Sequence, residues 1–551
     1  MQALFTEVSK PLIDHHHPLL EERASMGTNN EKLRTYAFLL TCLIIVAGMR
    51  VLTYGEALER DIAIHATIGN ELLHGRLLYI DLWDNKPPLS YLIHAFMIYL
   101  FGFGDFYIYI INVACNYITL LGIYFFTRLL DVGRFSACMV CIFYLLVSFD
   151  MNIEANQPNT EVLANSLLVW GVALWMVALE KNGKFRYALL SSLLLGLTTL
   201  LKQHYVLILL FIAGGSILKV LLTRKEDLRL NIVYSITLVA ITTSIWTLVL
   251  IITAAQGSIS IFIDTIFGYV SGYGFSDKHF LRHLLPIYAI GILPYLIFTL
   301  AVFLIRGWLK ESRTFILFFW LIGTYISVLA PGRFYPHYYQ LLIPPTLVGS
   351  ALFLNYLQGG QSPVRRVLLA SCITSALLFS LLRTIDFVSH KSHEWSELKY
   401  PGAGFAETKT VGLSLGNHLA PGELVFYLGP NASLFLYGQL RSANSDFYVD
   451  HLTQPSILRE VLLNREIDNF NEKSFHVAIF DRSPLLLQTA TRNIFVKLFR
   501  DYIEVPSCFN ESIVLVHRNS HYLPTLSRDL ISTSSEKMRA SGLDSIKCLA
   551  N

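Results

Sequence analysis

The chain has 551 residues, 53% of them hydrophobic and 15% charged, with a mean hydropathy of +0.49. That is far less charge than the roughly 25% of an average soluble domain, which excludes an ordinary soluble enzyme. The 43 basic and 40 acidic residues leave a net charge of only +3, so no bulk electrostatic case exists for a nucleic-acid partner. The 7 cysteines are too sparse for a disulfide framework, and Cys138 and Cys141 lie in an apolar run, which argues against a zinc pair.

In chain order, residues 1–35 form a polar leader whose His15 to His17 suit a surface role, with adventitious metal binding as the alternative. The first apolar run starts near Tyr36, too late and too long for a cleaved signal peptide. A helix crossing the bilayer needs about 20 apolar residues, or fewer where neighbours shield it. Runs at 36–53, 107–127, 135–149, 162–179, 187–201, 205–222, 232–255, 284–305, 314–330, 338–357 and 367–385 meet this, about eleven spans in a 36–385 transmembrane domain.

The connecting loops alternate in character. One set is short and basic: Arg128 with Arg134; Lys181, Lys184 and Arg186; Arg224, Lys225 and Arg229; Arg306, Lys310 and Arg313; Arg365 with Arg366. The inside-positive rule assigns these to the cytoplasm, together with the N-terminus. The opposite set, 54–106, 150–161, 256–283 and 331–337, faces outward, and everything beyond about 386 becomes extracytoplasmic. The apolar stretch 89–103 is too short to cross and follows Pro87-Pro88; it reads as an interfacial helix, because counting it as a span would put the basic loops outside.

Charges and turn residues return in the tail. Strand-like runs at 423–429, 475–480 and 512–518, with helical stretches at 457–463 and 485–498, predict a small α/β domain over 386–520. Residues 521–551, rich in Ser, read as a disordered tail, and pairing of Cys508 with Cys548 is left open.

Candidate chemistry collects in the outward loops. Asp61 could act as a general base or a hard metal ligand, or could simply cap the helix that follows. Tyr79 to Pro88 packs two acids, an indole and Lys86 before a rigid Pro-Pro step, so Lys86 could pair with a phosphate or merely snorkel. The second loop carries Asp150, Glu154 and Glu161 with no Lys or Arg: Glu161 opens a span and could cap it, and Glu154 reads as solvated loop. Lys86, Lys202 and Arg333 run against the inside-positive pattern, and a phosphate would compensate them. Arg333 is followed by His337 and Tyr338 among aromatics. The 256–283 loop, with Gly268, Gly272, Gly274, Lys278 and Arg282 among Phe and Tyr, suits a mobile lid or an aromatic membrane belt.

These residues carry a resemblance. Asp61, the stretch from Gly75 to Asp84-Asn85-Lys86-Pro87-Pro88, Leu100-Phe101-Gly102, Asn159-Thr160-Glu161, Gly196 through Lys202-Gln203, and Gly332-Arg333-Phe334 through His337-Tyr338 resemble the GT-C membrane glycosyltransferases. The likeness is to the bacterial protein O-mannosyltransferase and lipid A aminoarabinose-transferase type (glycosyltransferase family 39-like) and extends over about the first 360 residues. It implies a polytopic α-helical GT-C-like protein of the bacterial inner membrane that takes a sugar from a polyprenyl-phosphate donor. The acceptor would be an extracytoplasmic lipid, glycan or protein, as in lipopolysaccharide modification or protein glycosylation, with inversion at the anomeric carbon. By the same resemblance Asp61 and Glu161 are the catalytic acids, and a divalent cation (Mg, Mn or Zn) on them is left open. Lys86, with Lys202, Arg333, His337 and Tyr338, would hold the donor phosphate. Family members usually follow the aspartate with glutamate, where this chain has Ile62. A transporter or flippase of a lipid-linked sugar and a non-catalytic family member stay open beside this reading.

Overall fold

The structure, a computed structural model, describes residues 18–179, 184–223, 228–269, 286–306, 312–429, 431–448, 451–452, 456–481, 500–505, 512–520 and 522. Each of the eleven expected spans coincides with a helix. In chain order these are α1 (Pro18–Val51), α4 (Asp105–Leu129), α5 (Arg134–Val147), α6 (Thr160–Leu179), α7 (Phe185–Thr199), α8 (Val206–Thr223), α9 (Leu228–Ala255), α10 (Leu293–Arg306), α11 (Ser312–Leu329), α12 (Ile343–Gln358) and α13 (Pro363–Val388). Among the described residues, 7 helices are long and apolar enough to cross a membrane; α5, α7, α10 and α11 are shorter apolar helices. The 14 residues of α5 span about 21 Å, less than a hydrocarbon core, and neighbours cover its Val140, Cys141 and Phe143.

Prolines set several starts. Pro344-Pro345 sits in the first turn of α12, where the missing N–H costs nothing, so the run expected from 338 begins instead as a 3-10 turn over Pro336–Leu342. The first helix starts well before Tyr36, at Pro18, a residue suited to a first turn. At the centre stands α12, with 89% of its apolar window buried, whereas α9 has only 11% and exposes Ile236, Val239, Leu248 and Ile251 as a lipid-facing stripe.

The loops separate onto two ends. The Gly133 N–H donates to Asn355 Oδ1 (2.8 Å) and Ser136 meets Gln358 (3.2 Å), which brings the Arg128–Arg134 turn beside the turn leading to Arg365 and Arg366. At the other end Gln157 bonds the backbone of Glu59 and Ala57, and Gln340 Nε2 donates to the Ile153 carbonyl (2.8 Å). The first, second and 331–340 loops therefore meet, as their shared composition implied. The first loop contains α2 (Arg60–Leu73) and α3 (Leu89–Phe101), which cross at Gly69; a Cβ there would lie 2.8 Å from the Ala95 nitrogen.

The tail opens with α14 (Trp395–Lys399) and α15 (Phe405–Gly416), and α17 (Arg459–Glu472) lies beyond α16 (Ser433–Gly438). Strands β1 (Leu424–Leu428), β2 (Arg441–Ser442), β3 (Val477–Asp481), β4 (Tyr502–Glu504) and β5 (Ser512–His517) form one sheet in the order β2-β1-β3-β5-β4. β1 pairs in parallel with β2 and β3, and β5 runs antiparallel between β3 and β4. The three strands legible in the sequence are its centre, and the two short ones missed are its edges. The tail clasps the first loop: Asn431 Nδ2 donates to the Leu58 carbonyl (2.7 Å), Arg441 pairs with Glu71 (2.9 Å), and the Trp83 N–H donates to the Ser445 carbonyl (2.8 Å). The expected 485–498 helix, the 523–551 part of the tail, His15 to His17, Cys508 and Cys548, and Gly272, Gly274, Lys278 and Arg282 of the 256–283 loop lie outside the described residues.

Candidate active site

Asp61 sits in the first turn of α2, where the helix dipole favours a negative charge. The N-cap position belongs to Glu59, so Asp61 is left to reach Lys86, whose Nζ lies 3.3 Å from its Oδ2. Lys86 is also 3.5 Å from Asp84, and the loop locks it there: Tyr79 OH donates to the Lys86 carbonyl (2.8 Å) and Tyr91 OH to Asp84 (2.7 Å). Tyr79 itself takes a left-handed φ of +69°, a strained conformation held by its N–H on the Leu82 carbonyl (2.6 Å). Burial favours the neutral form of Asp61, but Lys86, with His337, Lys202 and His65, outweighs it and keeps the carboxyl well below its ordinary range. Burial likewise works against the Lys86 charge, and Asp61 and Asp84 reverse the balance and raise it. The pair is ionised and only partly covered, with 26% of the Asp61 side chain and 12% of the Lys86 side chain exposed.

The second loop corrects an expectation. Its acids are each matched by a cation from a distant segment: Asp150 by Arg383 (2.6 Å), Glu154 by His337 (2.6 Å) and Glu161 by Lys202 (2.5 Å). Glu154, expected in solvent, is buried, because a left-handed turn at φ +57° carries it inward beneath His337. Lys202 is balanced by Glu161 and stacks over the Tyr338 ring at 4.2 Å, and Tyr205 OH completes the Glu161 site at 3.1 Å. Arg333 lies near enough to Tyr269 to act on its hydroxyl, and Tyr269 packs against Trp83 and His451.

Asp61, Lys86, Glu154, His337 and Tyr338 line one cleft that opens to solvent. Its remaining wall was not legible in the sequence: Tyr400 and Phe405 from the α14–α15 turn, and Tyr448 and His451 from the segment after β2. No motif marks these residues. Behind Glu59, Lys399 holds Glu56 (2.6 Å), Glu59 (2.8 Å) and the Asn156 amide oxygen (3.0 Å) in a sealed network. Among the described residues no group of three or more His, Cys, Asp or Glu is placed to hold a metal ion. Asp61 and Glu161 each hold a lysine instead, so they do not form the donor set that a shared divalent cation requires.

The helical array, the folded first loop and the tail sheet together make a fold shared with solved structures of two other proteins. Residues 85–249, starting at the Asn85-Lys86-Pro87-Pro88 step, match the model of the dolichyl-phosphate-mannose-protein mannosyltransferase family. Two crystal structures of ArnT from Cupriavidus metallidurans are similar. The one bound to undecaprenyl phosphate superposes with a TM-score of 0.59 at 13% identity, covering 88% of this chain and 98% of that one. The apo structure gives 0.58 at 13% identity, covering 90% and 99%. The archaeal oligosaccharyltransferase AglB from Archaeoglobus fulgidus, in complex with an inhibitory peptide and a dolichol-phosphate, gives 0.52 at 10% identity, covering 89% and 75%. Sequence comparison with curated proteins gives no match.

Proposed function

We propose that the protein is an integral-membrane glycosyltransferase of the inner membrane that moves a sugar from a polyprenyl-phosphate carrier to an extracytoplasmic acceptor, with inversion. The observation that carries this is the Asp61–Lys86 pair, ionised, 3.3 Å apart and open to a cleft. The similar ArnT structure holds undecaprenyl phosphate and the AglB structure dolichol-phosphate, which makes a prenyl phosphate the first ligand to test.

The chemistry follows from the pair. A lysine held against two carboxylates is a ready cation for a phosphate, which would take the place of Asp61 beside it. The released carboxylate regains basicity, because Lys86 is the main group holding its pKa down. Asp61 then accepts the proton of the acceptor hydroxyl while that oxygen bonds to the anomeric carbon. The bond from this carbon to the phosphate oxygen breaks, and its electron pair leaves on the prenyl phosphate, stabilised by Lys86. Attack from the opposite face inverts the carbon. His337, held by Glu154, and Tyr338, backed by Lys202, border the donor, with Arg333 beyond them as a guanidinium for an entering headgroup. Glu161 acts by balancing Lys202. No step is assigned to a metal.

The test uses purified protein in detergent with labelled undecaprenyl-phosphate sugars and an envelope extract of acceptors. Label moves to an acceptor if the reading holds. Label that crosses a liposome bilayer without transfer would replace it with lipid-sugar transport.

A further inference from the structure

The cleft has a second wall, built by the tail. His451 and Asp446 are both buried, and Asp446 Oδ1 accepts from His451 Nδ1 at 2.9 Å. With Nδ1 engaged, Nε2 is the ring nitrogen through which His451 meets a ligand, and His451 lines the cleft. The dyad is fixed from two directions. The Tyr448 N–H also donates to Asp446 Oδ1 (3.0 Å). Trp83 stacks edge-on against His451 at 4.9 Å, and its own indole N–H donates to Thr265 (2.9 Å). Trp83 is only three residues from Lys86, so the loop that presents the lysine also braces the histidine. Beside the dyad the Tyr448 ring carries the Arg60 guanidinium at 4.1 Å, and Arg60 precedes Asp61 in the chain.

We infer that His451, oriented by Asp446, together with Tyr448 forms the acceptor subsite, and that it receives a saccharide hydroxyl. The inference rests on the transferase reading and adds to it the acceptor class and the job of the tail. A carboxylate-oriented imidazole hydrogen-bonds a neutral hydroxyl without demanding charge, and an aromatic face beside it suits the apolar face of a sugar ring. A peptide that bound by adding a strand would need a sheet edge with open backbone groups, and this wall consists of side chains.

The experiment uses the full chain in detergent. Undecaprenyl phosphate binding is titrated first, then saturation-transfer NMR is recorded on the loaded protein with a panel of methyl glycosides and a serine- and threonine-containing peptide. The inference predicts glycoside signals that His451→Gln and Tyr448→Leu each weaken at least fivefold, with undecaprenyl phosphate affinity held within twofold and an unchanged melting temperature. Asp446→Asn, which keeps the shape of the dyad, should weaken them less. Glycoside signals absent from the parent, or unchanged in the variants, overturn the inference, as does peptide binding that the variants abolish. Should His451→Gln unfold the protein, Tyr448→Leu decides alone. Undecaprenyl phosphate that binds with the same affinity after Lys86→Met speaks against the transferase reading, whereas the glycoside signals test the subsite.

Discussion

Among the described residues, Lys86 and Lys399 each stand against a pair of carboxylates, and the Lys86 group is the more open of the two. Lys399 binds Glu56 and Glu59 with its own side chain 2% exposed and theirs 0% and 5%. Lys86 binds Asp61 and Asp84 with Asp61 26% exposed on a cleft wall. A buried group of this kind holds parts together, here the tail against the loops that carry Glu59 and Asn156, because breaking it strands a buried charge. An ion pair at a cleft exchanges its partner for a ligand at little cost, because water and the incoming anion take over the solvation.

The comparison is broken most directly by removing the sealed cation. Lys399→Met leaves Glu56 and Glu59 buried without their cation and should lower stability by about 3–5 kcal/mol, seen as a large drop in melting temperature in detergent. Lys86→Met should lower that melting temperature less, because Asp61 is partly exposed and Asp84, though buried, keeps the Tyr91 hydroxyl and the Asn85 N–H as donors. Its effect falls on undecaprenyl phosphate, where losing one charged hydrogen bond of roughly 1.5–3 kcal/mol weakens binding by about 10- to 100-fold. If Lys86→Met unfolds the protein as Lys399→Met does, the distinction between the two sites is false.

A smaller effect comes from pH. Burial, opposed by Lys399 and reinforced by Glu154 and Glu56, raises the Glu59 carboxyl to about 7. The folded state therefore holds this proton more tightly than the unfolded chain. The stabilisation is complete below about pH 4.5, the unfolded value, and is lost as pH rises to about 7. Glu59→Gln, which keeps the protonated shape, should flatten the fall in melting temperature across this window; an unchanged slope would mean Glu59 titrates normally. Smallest is Thr265→Val, which removes the partner of the Trp83 indole and should cost about 1 kcal/mol, measured by denaturation. The same change should loosen glycoside binding at His451 before it affects the prenyl phosphate.

Much of this was legible in the sequence, for definite reasons. Membrane helices declare themselves by runs of apolar residues, so each of the eleven runs met a helix, with ends displaced where Pro344-Pro345 or a polar continuation decided the start. Asp61 and Lys86 were legible because they lie in one loop whose Asn85-Lys86-Pro87-Pro88 step is distinctive. What was not legible is pairing at long range. Glu154 meets His337 across 183 positions and Lys399 meets Glu59 across 340, and nothing local distinguishes such an acid from a solvated one. The same holds for His451, an isolated histidine in a tail with no motif. Lys202 was expected to be compensated by a phosphate, and Glu161 to cap its helix or act as an acid, whereas the structure pairs the two with each other.

The central claim is that the carboxylate beside Lys86 is a base held in reserve. The most direct measurement compares parent and Asp61→Asn protein for sugar transfer from an undecaprenyl-phosphate donor and, separately, for undecaprenyl phosphate affinity. Transfer should fall by about 10²- to 10⁴-fold, while affinity holds or tightens, since asparagine no longer competes for the lysine. Normal transfer by Asp61→Asn, or loss of lipid binding together with transfer, would contradict it.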